Sequence, residues 1–344
     1  MDLPLIWAVL IAVAVMLYVI LDGFDLGIGA LTVFARSETE RNLMTATIEP
    51  VWDGNETWLI LGGGGLFAAF PLAYAVLMPA MYIPVLIMLA ALIFRGVAFE
   101  FRHKAVREPT RIFWNGAFAY GSLIATVAQG FILGGFIKGI TVDGRVFAGG
   151  AFDWLSPFSI LVAISLLLGY VLLGACWLFL KTGGETQEFS RKWAKRALIG
   201  VLVAMGAVSL ATLSIDPRVT ERWGVSMTSV DFGTFWYLVP IPTLAGVLIY
   251  MLWKDLSNRT LKPEWRPYLL TVGIFLAGYT GFAVSLFPYL VPFEITLWDA
   301  AARDNALGLM LVGAVIMLPT ILIYTAYVYK LFWGKVNLED GYHG

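Results

Sequence analysis

Residues 4–22 read PLIWAVLIAVAVMLYVILD, an unbroken apolar run that carries no charge before Asp22. A helix that crosses the hydrocarbon of a bilayer needs about 20 mostly apolar residues. A membrane strand needs only about 9–11, alternating in polarity. Length and lack of alternation therefore predict a helix that spans a membrane. The run lacks a basic leader, and Asp-Gly-Phe-Asp follows it where a signal peptide would carry a small-residue cleavage site, so it reads as a retained span. Working outward, eight further stretches have the same character: 57–76, 79–99, 112–137, 157–180, 197–215, 235–253, 267–287 and 306–333. The expectation is an all-α, polytopic transmembrane bundle of about nine spans, forming a single integral membrane domain over residues 1–344. Ser37-Glu38-Thr39-Glu40 is a capping box that predicts a short cytoplasmic surface helix near 38–49, ended by Pro50.

Composition agrees. The chain is 59% hydrophobic and 14% charged, against about 25% charged in soluble domains, which excludes a water-soluble enzyme and a disordered chain. A formal net charge of -1 offers no basic face to a nucleic acid. One cysteine forms neither an internal disulfide nor a thiolate metal site. If the N-terminus faces the periplasm, 18 of the 23 Lys and Arg fall in cytoplasmic connections. The other 5 are Lys138, Arg145, Arg218, Arg222 and Arg303. Positive charge is retained inside, so the N-terminus is expected outside and the C-terminus inside.

A carboxylate at membrane depth is costly and needs an account. Asp22 and Asp25 stand at the expected inner end of the first span. If the helix continues they share one face, and two adjacent carboxyls there could share a proton. The bland alternative is a solvated helix end. Asp53 and Glu56 follow, in a cluster with Glu49, Trp52, Asn55 and Trp58 at the inner mouth of the second span. Asp53 and Asn55 are good helix caps. Capping does not account for three acids and two tryptophans within ten residues, and a proton path is the leading reading. Glu100, beside Arg95 and Arg102, reads most simply as part of an ion pair within its own helix. Asp299 reads as the capped start of the last span.

Gly62, Gly63, Gly64 and Gly65 are not followed by Lys and Ser or Thr, so no phosphate loop is indicated, and close helix packing is the better explanation. Gly23/Gly27, Gly130/Gly134 and Gly135/Gly139 repeat the small-residue spacing. His103, expected in a cytoplasmic loop, and His343, beside the C-terminus, are the only histidines. Neither is placed to ligate a buried haem. No metal site and no catalytic residue is expected in this chain.

The runs Leu21-Asp22-Gly23-Phe24-Asp25-Leu26-Gly27 and Trp52-Asp53-Gly54-Asn55-Glu56-Thr57-Trp58 form a pattern with Gly62 to Gly65, Phe94-Arg95-Gly96 and Leu297-Trp298-Asp299. Together these resemble subunit II of the cytochrome bd-type quinol oxidases, including the cyanide-insensitive branch. The Asp-Gly-Phe-Asp and Trp-Asp-Gly-Asn elements carry the specificity, and residues 112–270 match mainly in hydropathy. The resemblance implies a terminal oxidase of a bacterial inner membrane that oxidises quinol, reduces dioxygen to water and takes protons from the cytoplasm without pumping. It implies that two haems b and a haem d or b reside in subunit I, and that this chain binds none. It further implies a role in assembly and a contribution to the proton path. Some members hold a structural quinone or add a small single-span subunit. Quinol pool and lipid complete the partners. The family's acids fall on Asp53, Asp22 and Asp25. Where some members have His and Gln, this chain has Val51 and Glu56, and a path relying on that His cannot run here in the same form. Two rivals remain at this point: a secondary transporter, disfavoured because its substrate groups would lie near mid-bilayer, and a purely structural assembly subunit.

Overall fold

The computed structural model describes residues 1–225 and 230–336; His343 lies outside them. The described residues form helices and two small hairpins. Helix α1 (Leu3–Leu31) starts where the Asp2 carboxylate accepts the Leu5 amide at 3.0 Å and Pro4 fixes the first turn. It does not stop at Asp22. Apolar residues continue on its other faces, and the helix runs nine residues further to Leu31. The surface helix is α2 (Glu38–Ala46), with Ser37 accepting the Glu40 amide. It ends at Ala46, ahead of Pro50. The other half of the expected box is redirected: Glu40 accepts from the Arg36 amide and guanidinium, at 2.7 Å each.

The expected second span is two helices, α3 (Trp52–Ala69) and α4 (Pro71–Ala80). Pro71 cannot donate to the turn before it, and the chain bends at Phe70. Next come α5 (Tyr82–Lys104), whose last turn includes His103 instead of leaving it in a loop, α6 (Glu108–Lys138) and the hairpin β1 (Val142–Asp143) and β2 (Val146–Phe147). Then follow α7 (Pro157–Lys181), started by a Ser156/Ser159 capping box, and α8 (Gly184–Thr212). Two short helices, α9 (Pro217–Trp223) and α10 (Phe232–Leu238), lead to α11 (Pro240–Ser257) and α12 (Arg266–Leu286). The hairpin β3 (Tyr289–Val291) and β4 (Ile295–Thr296), α13 (Leu297–Ala300) and α14 (Asp304–Leu331) complete the order. Thr296, not Asp299, caps α13, by accepting the Asp299 amide. Among the described residues, eight helices are long and apolar enough to cross a membrane, and α3 and α4 stand where a ninth was expected.

Helix α1 is the hub, packed by α3, α6, α7, α12 and α14. The α1–α7 crossing is held by backbone contact: a Cβ on Gly27 would lie 1.8 Å from the Tyr170 carbonyl oxygen, and one on Gly174 would lie 2.6 Å from the Ile28 nitrogen. Gly130 and Gly134 likewise face Ala163 and Ser159 of α7. Of the glycine run in α3, Gly62 and Gly65 meet Val15 and Ile11 of α1, whereas Gly63 and Gly64 face open space, so close packing inside the chain accounts for half of it. The main core is built around Phe24, Leu172 and Trp177, and a second cluster around Trp7, Phe70 and Leu297 lies at the end of the bundle where α1 begins.

Candidate functional site

Because α1 stays helical past Asp22, Tyr18, Asp22 and Asp25 fall on one face, four and three residues apart. Neither acid is at a solvated helix end: both are fully buried within the helix. This overturns the alternative of a solvated helix end, and shows that the interior of the bundle is not all apolar.

Their partner is Arg95 of α5, also fully buried. Its Nη2 lies 2.7 Å from Asp22 Oδ1 and 4.0 Å from Asp25 Oδ2. Arg95 is therefore neither a loop cation nor paired with Glu100. Five residues separate the two along α5, which puts them on different faces, and Glu100 is exposed. Arg102 turns to Asn42 of α2, at 2.6 Å. Gly96, next to Arg95, lies against the Trp52 ring, and Trp52 stacks on Phe99 at 5.4 Å.

Two hydrogen-bonded chains lead towards the acids, one ending on Asp25 and the other on Tyr18, one turn before Asp22. In the first, Tyr329 of α14 donates to Asn55 Oδ1 at 2.8 Å, and Asn55 Nδ2 donates to Asp25 Oδ2 at 2.8 Å and to the Leu21 carbonyl at 3.3 Å. In the second, Tyr170 of α7 donates to Gln129 Oε1 at 2.9 Å, and Gln129 Nε2 of α6 donates to the Tyr18 hydroxyl at 2.6 Å. Six helices thus meet around two carboxylates and one guanidinium. An unpaired charge in such a place would cost several kcal/mol. The Asp22–Arg95 ion pair and the Asn55–Asp25 hydrogen bond offset part of that cost, while both Asp22 oxygens, Asp25 Oδ1 and the Arg95 nitrogens have no hydrogen-bond partner among the described residues.

The remaining acids fall elsewhere. Asn55 is buried and Glu56 half-buried, but Asp53 is exposed on the outward face of α3. Asp53 does not cap that helix. The capping position is Val51, and Asp53 sits in the first turn, where a carboxylate complements the helix dipole. Asp22, Asp25, Asn55 and, at its edge, Glu56 are therefore brought together, while Asp53 and Glu100 are not. Arg95, Gln129 and the three tyrosines were missed. The signal for Arg95 and Gln129 was available, since each is a strongly polar residue inside an apolar run that had to find a partner. Among the described residues, no group of three His, Cys, Asp or Glu side chains could hold a metal ion.

Comparison with known proteins covers nearly the whole chain. The family model described as cytochrome bd terminal oxidase subunit II matches residues 3–332. The chain is 31% identical, over 98% of its own length and 96% of the relative's, to cytochrome bd-I ubiquinol oxidase subunit 2 of Escherichia coli strain K12. It is 30% identical to cytochrome bd ubiquinol oxidase subunit 2 of Bacillus subtilis strain 168, with 97% of each chain covered. Its fold matches a chain in the structure of bd oxidase from Geobacillus thermodenitrificans with a TM-score of 0.76, at 15% identity, covering 96% of this chain and 99% of that one.

Proposed function

The chain belongs to the cytochrome bd terminal oxidase subunit II family, and from that membership we propose that it delivers protons to oxygen chemistry carried out in a companion subunit. It is a multi-pass protein of the inner membrane and one subunit of a terminal oxidase. The companion is subunit I, which bears the haems; those groups pass electrons from quinol to dioxygen. Reduction of oxygen to water consumes protons, and charge builds up in a low-dielectric interior unless they arrive with the electrons. A structural role in assembly accompanies this, because the same buried cluster ties six helices together.

The observation that carries the reading is the wholly buried Asp22–Arg95–Asp25 cluster in a chain whose apolar helices have no packing need for it. Replacing such a cluster by apolar residues is often neutral or stabilising, so its presence points to function. Glu56, half-buried at the start of α3, is the group through which the cluster exchanges protons with the cytoplasmic side. Asp53, exposed on the outward face of that helix, adds local negative potential at the mouth. A transporter reading loses its ground with the family assignment.

The test is quinol oxidase turnover per haem in the purified complex. Glu56→Gln is expected to slow turnover strongly while haem content stays normal, and Asp53→Asn to slow it less. Unchanged turnover in an intact Glu56→Gln complex would refute the entry route.

A further inference from the structure

The two hydrogen-bonded chains that lead to Asp25 and to Tyr18 share a design. Each starts at a tyrosine and passes through a carboxamide: Tyr329 to Asn55, and Tyr170 to Gln129. In each, the tyrosine hydroxyl donates to the amide oxygen, so the amide presents its N–H groups towards the cluster. The orientation of Asn55 is fixed twice, since the Leu21 carbonyl can only accept. Gln129 donates to the Tyr18 hydroxyl, and Tyr18 stands one helical turn before Asp22 on the same face of α1.

We infer that Asn55 and Gln129 are positioning residues that close the Tyr329 and Tyr170 approaches to the acid cluster to proton exchange, leaving the α3–α5 side, where Glu56 and Arg95 stand, as the entry. Deepening the proton-path reading and resting on it, the inference follows from the chemistry of the groups. A hydroxyl, carboxyl or water passes a proton on by accepting one and releasing another. A carboxamide N–H2 has no such proton to release at ordinary pH, so it holds a geometry without relaying charge. Asn55 thereby separates Asp25 from Tyr329 and from the apolar groove of about 610 Å³ that Tyr329 lines with Trp58, Trp177, Tyr268 and Trp265. Gln129 separates Tyr18 and Asp22 from Tyr170. The titratable or charged groups facing the cluster are Tyr18 on α1, Glu56 on α3, Arg95 on α5, Tyr170 on α7, Tyr268 on α12 and Tyr329 on α14. Of these, Tyr170 and Tyr329 lie behind an amide.

The experiment measures the pH profile of quinol oxidation per haem in the purified complex. Tyr329→Phe and Tyr170→Phe remove the hydroxyls behind the amides, and both variants are expected to keep the wild-type rate within about two-fold and the same pH profile. Asn55→Asp puts an acid where the amide stands. It is expected to displace the pH profile towards alkaline pH, because a like charge beside Asp25 makes the cluster hold protons more tightly. A rate loss of tenfold or more in either tyrosine variant at normal haem content would overturn the inference, as would an unshifted profile in Asn55→Asp. If Asn55→Asp fails to assemble, the two tyrosine variants decide alone. Asp25→Asn separates this from the underlying reading: normal turnover there removes the proton path itself, whereas loss there with a slow Tyr329→Phe removes only the closed ends.

Discussion

Helices α1 and α14 are nearly the same length and almost equally apolar, with mean hydropathies of 2.7 and 2.5 over their best windows, yet 28% of the first window is buried inside the chain and 6% of the second. The difference lies in what each brings to its neighbours. Helix α1 has Gly23 and Gly27 where α7 crosses it and three polar side chains on one face. Helix α14 touches the acid cluster through the Tyr329 hydroxyl and otherwise presents Leu309, Val312, Ile316 and Ile323 outward. Hydropathy alone says that a helix enters the membrane. Small and polar residues at helical spacing say which helix the rest are built around.

Arg95→Leu leaves two buried carboxylates without their cation. Breaking such a set costs about 3–5 kcal/mol, so the complex is expected to be lost, seen as absent haem absorption in solubilised membranes. A mutation at the α1–α7 contact comes next. Gly27→Val cannot be accommodated, since its Cβ alone would overlap the Tyr170 carbonyl, whereas a Cβ on Gly63 of α3 meets nothing within the chain. Complex yield should collapse for the first. Gly63→Ala should leave the thermal stability of this chain's own helix packing unchanged. On the α14 side, Tyr329→Phe removes one hydrogen bond worth about 1 kcal/mol, and a small drop in the Tm of the complex is expected.

The smallest effect lies at the surface helix. Burial alone would raise the Glu40 carboxyl, but hydrogen bonds from the Arg36 side chain and amide outweigh it and hold Glu40 below the usual carboxylate range. A depressed value means that the contribution is complete above the ordinary glutamate range and fades as pH falls through the folded value. Glu40→Gln should therefore lower Tm slightly at pH 7, by an effect of at most about 1 kcal/mol, and the difference from wild type should shrink in acid.

Much of this was legible in the sequence. Span positions follow from apolar length, and the surface helix follows from Ser37 and Glu40. The acids Asp22 and Asp25 were legible as a pair, but their burial was not, because a charge ends an apolar run in any hydropathy reading while the helix itself continues to Leu31. The break at Phe70-Pro71 was carried by a proline inside a run that otherwise looked continuous. Arg95 stands out as a cation inside an apolar run, but the inside-positive pattern accommodates a cation near an inner helix end without asking what it faces. Tyr18 meets Gln129, and Tyr329 meets Asn55, from helices far apart in sequence, and nothing local announces these contacts.

The most direct measurement is turnover per haem in purified complex carrying Asp25→Asn. The replacement keeps the shape of the side chain and leaves the Asp22–Arg95 contact in place. If the buried acids of this chain pass protons to the oxygen chemistry, turnover falls by at least about tenfold, about 1.4 kcal/mol of added barrier, while haem content is unchanged. Wild-type turnover in that intact complex would contradict the account.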